Sequence, residues 1–153
     1  MRSMRAFLTR YPRQAAQETR TIMIPQGEPV PAGTYGYLEF FCPDTECDCR
    51  RVVLSVMSRE TGGVMATLSY GWETAEFYRN WSHGEQRGVD MVGVSLDPLA
   101  PQTEYAGYFL GAFRDMVSVD RAYRDRIQRH YEMFKRPGKH GGAYQGDEAD
   151  KAR

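Results

Sequence analysis

The sequence predicts an α+β fold: a small antiparallel sheet of three to four strands in meander order, with two C-terminal helices packed on one face. Two changes of pattern predict it. Between residues 34 and 96, apolar residues alternate with polar ones at the period of two that half-buried strands show, in runs separated by turn residues. Between residues 103 and 135 the apolar period lengthens to that of an amphipathic helix, in two successive stretches.

The strands come first. "TYGYLEFF" (34–41) is aromatic and β-prone. In "RRVVLSVMS" (50–58), Val52, Leu54 and Val56 share one face, and Val53, Ser55 and Met57 the other. "RETGG" (59–63) has the glycines a hairpin turn uses to reach positive φ. "VMATLSYGW" (64–72) alternates again, and "GVDMVGVSL" (88–96) reads as a fourth strand. The stretch between them, 73–87, is short, polar and aromatic, and reads as one or two helical turns or a crossing loop. "LDPLAPQ" is a proline-punctuated break. In "TEYAGYFLGAFRDMV" (103–117), Tyr105, Ala106, Phe109, Leu110, Phe113, Met116 and Val117 form an apolar stripe, with Gln102 or Thr103 near its start. Gly107 and Gly111 share a face and are expected to allow close packing on the sheet. In "VDRAYRDRIQRHYEMFK" (119–135) the stripe is Val119, Tyr123, Ile127, Tyr131 and Phe134, and Asp120 is the expected N-cap.

Outside this block the chain divides simply. Residues 1–25 form a basic N-terminal segment. Its start, "MRSMRAFLTRYPRQ", carries no acidic residue and reads as a mobile tail, while "TRTIMIP" reads as a short edge strand ended by Pro25. Residues 26–135 are read as a single α+β domain, and 136–153, glycine-rich and without apolar period, as a flexible tail.

Composition sets outer bounds. A chain of 153 residues fits one domain of ordinary size and can bury enough apolar surface to fold without a metal or a disulfide. Its 20 basic and 20 acidic residues balance to a formal charge of zero, so nothing pulls it as a whole toward nucleic acid or an anionic membrane. No run approaches the roughly 18 apolar residues of a membrane span. Without an export signal the expected compartment is the cytoplasm, where thiols stay reduced. An odd cysteine count, three, also speaks against a closed disulfide framework.

All three cysteines lie in "FFCPDTECDCRR" (40–51). The spacing, Cys-x4-Cys-x-Cys, puts Cys42 at the end of one predicted strand and Cys47 and Cys49 at the start of the next. A hairpin tip so built can wrap three sulfurs round one ion. Thiolates are soft ligands that select zinc, copper(I) or iron–sulfur clusters, and zinc takes four ligands at about 2.3 Å to sulfur. Arg50 and Arg51 are expected to offset the negative charge and to favour thiolates. The fourth ligand is open: His83 in "NWSHGEQ" ranks first, then His130, with Asp44, Asp48 or water as further choices. The alternating acids do not make a calcium loop, because an EF-hand beginning at Asp44 needs glycine at 49 and glutamate at 55, where Cys49 and Ser55 stand.

The stretches "YLEFFCPDTECDCRRVVLSV", "LSYGWE" and "VDRAYRDRIQRHYEMFK" resemble a family of small uncharacterised bacterial proteins, some of whose members carry an extra SEC-C type metal-binding motif. The resemblance covers roughly residues 34–135. It implies a bacterial cytosolic protein and no activity. The chain has no downstream Cys-x-Cys…Cys-Cys or Cys-x-His pattern, so no additional SEC-C or SWIM-type module is carried over.

No phosphate loop, GxSxG or HExxH motif is present. The arginines of 119–135 are interleaved with acids and read as a solvated face rather than a phosphate track. The aromatics read as core more readily than as a stacking platform. The expected function is therefore metal binding, zinc first, through Cys42, Cys47, Cys49 and His83 in a non-enzymatic interaction or adaptor module, with a protein partner or a homodimer and no identified small-molecule substrate. Two alternatives stand beside it. One is a metal-dependent enzyme with an open zinc position and Glu73, Glu76 or Glu85 as base; the other is a thiol redox or sensor protein.

Overall fold

The structure, a computed structural model, describes residues 4–82 and 91–136. Among them one antiparallel sheet has six strands: β1 (Arg5–Ala6), β2 (Arg20–Ile24), β3 (Gly33–Phe41), β4 (Arg51–Ser58), β5 (Val64–Gly71) and β6 (Gly93–Leu96). The spatial order is β1-β3-β4-β5-β6, with β2 also paired to β3. The expected meander is its middle, β3-β4-β5-β6. The expectation of three to four strands falls short because β3 is long enough to pair with two short strands along its free edge. Ile22 faces Tyr35 on β2, and Arg5 faces Phe41 on β1. A two-residue strand such as β1 has no periodicity to detect.

Register and alternation decide which face becomes the core. Tyr35, Tyr37, Glu39 and Phe41 of β3 are buried on the same side as Val52, Leu54 and Val56 of β4 and Ala66, Leu68 and Tyr70 of β5. The β4–β5 turn contains Gly62 at φ +72°, the left-handed conformation that glycine adopts without strain. Two helices cover this face, α4 (Ala106–Val119) and α5 (Arg121–Lys135). Asp120 caps α5, its carboxylate accepting from the Tyr123 amide at 3.0 Å. The apolar stripes meet the sheet through aromatic rings: Tyr35 with Phe109, Tyr37 and Tyr70 with Phe113, and Phe41 with Phe134. Gly107 and Gly111 do not mediate that packing; a Cβ at either would meet nothing within 4 Å.

The basic leading segment joins the same core. After β1 come two short helices, α1 (Phe7–Arg10) and α2 (Pro12–Glu18). Phe7 and Tyr11 are 2% and 4% exposed. The last carbonyls of a helix lack intrahelical partners, and this segment supplies some for α5: Arg10 donates to the Phe134 carbonyl at 2.9 Å and Tyr11 to that of Met133 at 2.8 Å. The polar stretch after β5 forms α3 (Ala75–Trp81), capped by Thr74, which accepts from the Phe77 amide. No helix of the described residues is long and apolar enough to cross a membrane.

Candidate metal centre

β3 and β4 are joined by a nine-residue tip, 42–50, that holds all three thiols. Its first half is an Asx turn, in which the Asp44 carboxylate accepts from the Glu46 amide (3.1 Å) and the Asp44 carbonyl from the Cys47 amide (3.2 Å). Its second half is bent by Arg50, at φ +43°, a conformation uncommon for any residue but glycine. The bend is held from several sides. The Arg50 amide donates to the Tyr131 hydroxyl (3.1 Å), and its carbonyl accepts from the Tyr78 hydroxyl (2.6 Å). Its guanidinium makes two bonds to Asp48, at 3.0 and 2.8 Å, and one to Glu73 at 3.2 Å. The same guanidinium lies over the Phe77 ring, 4.5 Å from its centre.

These turns bring the three sulfur atoms within 4.8 Å of one another. Tetrahedral zinc with its usual bond length sets sulfurs about 3.8 Å apart, so ligation requires a contraction of at most about 1 Å. Cys42 and Cys49 are buried and Cys47 is half-buried. Burial, then the neighbouring Cys49 and Cys42 sulfurs, push the Cys47 thiol up to about 11. Burial also pushes Cys49 up, against the pull of Lys135. Of the adjacent arginines, Arg51 does pull Cys49 toward the thiolate, as expected, but desolvation outweighs it; Arg50 is paired with Asp48 and Glu73, and the cation with the larger effect on Cys49 is Lys135.

Lys135 is the residue sequence reasoning missed. It is 4% exposed at the end of α5. Its ammonium donates to the Asp44 carbonyl at 2.6 Å. Among the described residues it has no carboxylate at ion-pair distance, while its charge acts on Cys47 and Cys49. The readable signal was its place four residues after Tyr131, on the same helix face.

The fourth position is not supplied by the described residues: the group of metal-ligating side chains found there is Cys42, Cys47 and Cys49. Asp48 is held by Arg50, which together with hydrogen bonding from Tyr131 keeps its carboxyl below the ordinary aspartate range. His130, the second-ranked candidate, is committed elsewhere. Its Nδ1 meets a Glu39 carboxylate oxygen at 2.8 Å and its Nε2 one of Glu18 at 3.0 Å. Phe7 stacks on its ring at 4.1 Å, and Arg129 and Arg126 hold Glu18 from the other side. His83 and Glu85 lie outside the described residues. Glu73 is paired with Arg50, and Glu76 lies in the first turn of α3. No family model, curated protein or solved structure matches the chain.

Proposed function

We propose that the protein is a metal-binding module in which Cys42, Cys47 and Cys49 hold one soft divalent ion, zinc first, at the tip of the β3–β4 hairpin. The observation that carries this reading is the buried Lys135 ammonium beside three clustered sulfurs. A buried cation without a counter-charge is costly. Three thiolates on a divalent ion carry a net charge of −1, which Lys135 balances. The ion then fixes the tip, and the module presents that end of the molecule to a protein partner. The core supports folding without metal, so the ion orders the tip rather than the domain. Buried thiols with raised proton affinity are poor nucleophiles, which favours this reading over a thiol redox protein. The reading places the chain in the cytoplasm, where reduced thiols persist, in keeping with its resemblance to small bacterial proteins.

Elemental analysis of the full chain, purified without chelator, is expected to find one zinc per chain, lost in Cys47→Ser. Purification with no metal, and failure of added zinc to displace thiol protons, would sink the reading.

A further inference from the structure

Beside the thiol tip, lined in part by Tyr131, lies a cleft of about 180 Å³. It is well below the roughly 300–1,000 Å³ of drug-sized sites, so its occupant is small. One wall belongs to the sheet end and carries Asp48, Arg50 and Glu73. The other belongs to α5, where Gln128, Glu132 and Arg136 recur at helical spacing. Trp72 and Tyr131 line it between the walls, their rings nearly perpendicular at 79° and 5.1 Å between centres.

Each wall carries its own ion pairing, Arg50 with Asp48 and Glu73 on one side and Arg136 with Glu132 on the other. Both guanidiniums keep spare donors, since Arg50 commits three N–H groups to carboxylates and a guanidinium has five. Among the described residues, neither the Trp72 indole N–H nor the Gln128 amide has a hydrogen-bond partner. An anion entering this cleft faces three carboxylates, and a cation faces two guanidiniums, so a ligand of single sign meets repulsion. A molecule carrying both signs can lay each against its opposite.

We propose that this cleft binds a small zwitterion of α-amino-acid size, its carboxylate on Arg50 and Arg136, its ammonium on Glu73, Glu132 and the Gln128 carbonyl, and its apolar part against Trp72. The proposal does not depend on whether the thiols hold a metal.

The chain has two tryptophans, so a ¹⁵N-labelled full-length sample gives two indole signals, and Trp81→Phe assigns them. Titration with L-leucine is expected to shift the Trp72 signal saturably at millimolar concentration. L-leucinamide, which keeps only the positive charge, and N-acetyl-L-leucine, which keeps only the negative one, are each expected to bind at least about tenfold more weakly. Glu132→Gln and Arg136→Gln, changes at half-exposed positions that leave the core intact, are expected to weaken leucine by a similar factor. No saturable shift up to about 50 mM leucine overturns the proposal. So does equal binding of either singly charged analogue, which would make the cleft a simple cation or anion site.

Discussion

His130 and Lys135 are both nearly inaccessible on α5, at 1% and 4% exposure, yet their surroundings differ in kind. His130 lies between two glutamates, one hydrogen bond on each ring nitrogen, and the outer glutamate is held in turn by arginines. Every polar group in that cluster is answered by another residue of the chain. Lys135 faces a backbone carbonyl, and its charge acts on the Cys47 and Cys49 thiols; under the proposed metal binding its counter-charge comes from the thiolates. The first cluster is closed and fastens the leading segment to the sheet through α5. The second is complete only with something added. A buried polar group that is fully partnered reads as structure; one lacking its counter-charge points to a ligand.

The largest expected effect comes from opening the closed cluster. His130→Phe leaves Glu39, whose side chain is 3% exposed, without its hydrogen-bond partner, and stranding a buried polar group costs about 3 kcal/mol. For a chain of this size that lowers the melting temperature by about 10 °C. Adding Glu39→Leu is expected to recover more than half of the loss in thermal denaturation, because an apolar pair replaces an orphaned polar group. A double variant no better than the single one would mean that the packing of the imidazole under Phe7, rather than its hydrogen bonding, holds the segment.

At Lys135, the last residue of α5, the addition of metal should show the asymmetry. If the proposed site binds zinc, free zinc at about 100 times its dissociation constant is expected to stabilise the native chain by about 2.7 kcal/mol, and Cys47→Ser to gain none. Far-UV circular dichroism is expected to stay unchanged when chelator removes the ion, since β3 to β5 and both long helices are buried together without it. Loss of secondary structure on chelation would make the metal a requirement for folding. Smaller again is the part played by Lys135. Replacing it with Met is expected to weaken zinc about tenfold, or ~1.4 kcal/mol, in a competition titration, as loss of an outer-shell partner does. Because burial holds the Cys47 thiol up to about 11, zinc must displace its proton near neutrality, so affinity is expected to rise from pH 6 to pH 8 and binding to release protons into buffer.

The meander and the two long helices were legible because each rests on a sustained period: β4 alternates over eight residues and α5 keeps its stripe over fifteen. The thiol tip was legible because spacing between two good strands fixes where a loop returns. Edge strands and buried charges were not. β1 is two residues long and exists because β3 offers a free edge. Glu39 sits in the core phase of β3, between Tyr37 and Phe41, and that break in the alternation was the available sign of a buried partner such as His130. Lys135 ends a polar helix, and its place four residues after Tyr131 was a weaker sign, because its burial depends on the loop folding back over the helix end.

The smallest effect concerns the ion pair that bends the tip. Hydrogen bonding from Arg50 holds the Asp48 carboxyl below its ordinary value of 3.8, against the opposing pull of partial burial. A carboxyl depressed in the folded state adds stability above its unfolded value, and that stability is lost as pH falls through the folded one. Asp48 is half-exposed and its pairing is screened by solvent, so Asp48→Asn is expected to cost less than about 1 kcal/mol at neutral pH. The melting difference between the native chain and this variant should be constant from pH 7 to about pH 5 and shrink toward zero in stronger acid. Acid weakens both proteins through their other carboxylates, but only the difference reports Asp48. The contribution of Glu18, likewise depressed by His130 and Arg129, is present in both chains and cancels. If the difference persists undiminished at low pH, the Asn replacement acts through the backbone bend at Arg50 instead of through charge. The tip would then be held by the Tyr131 and Tyr78 hydroxyls, which keep their protons throughout that range.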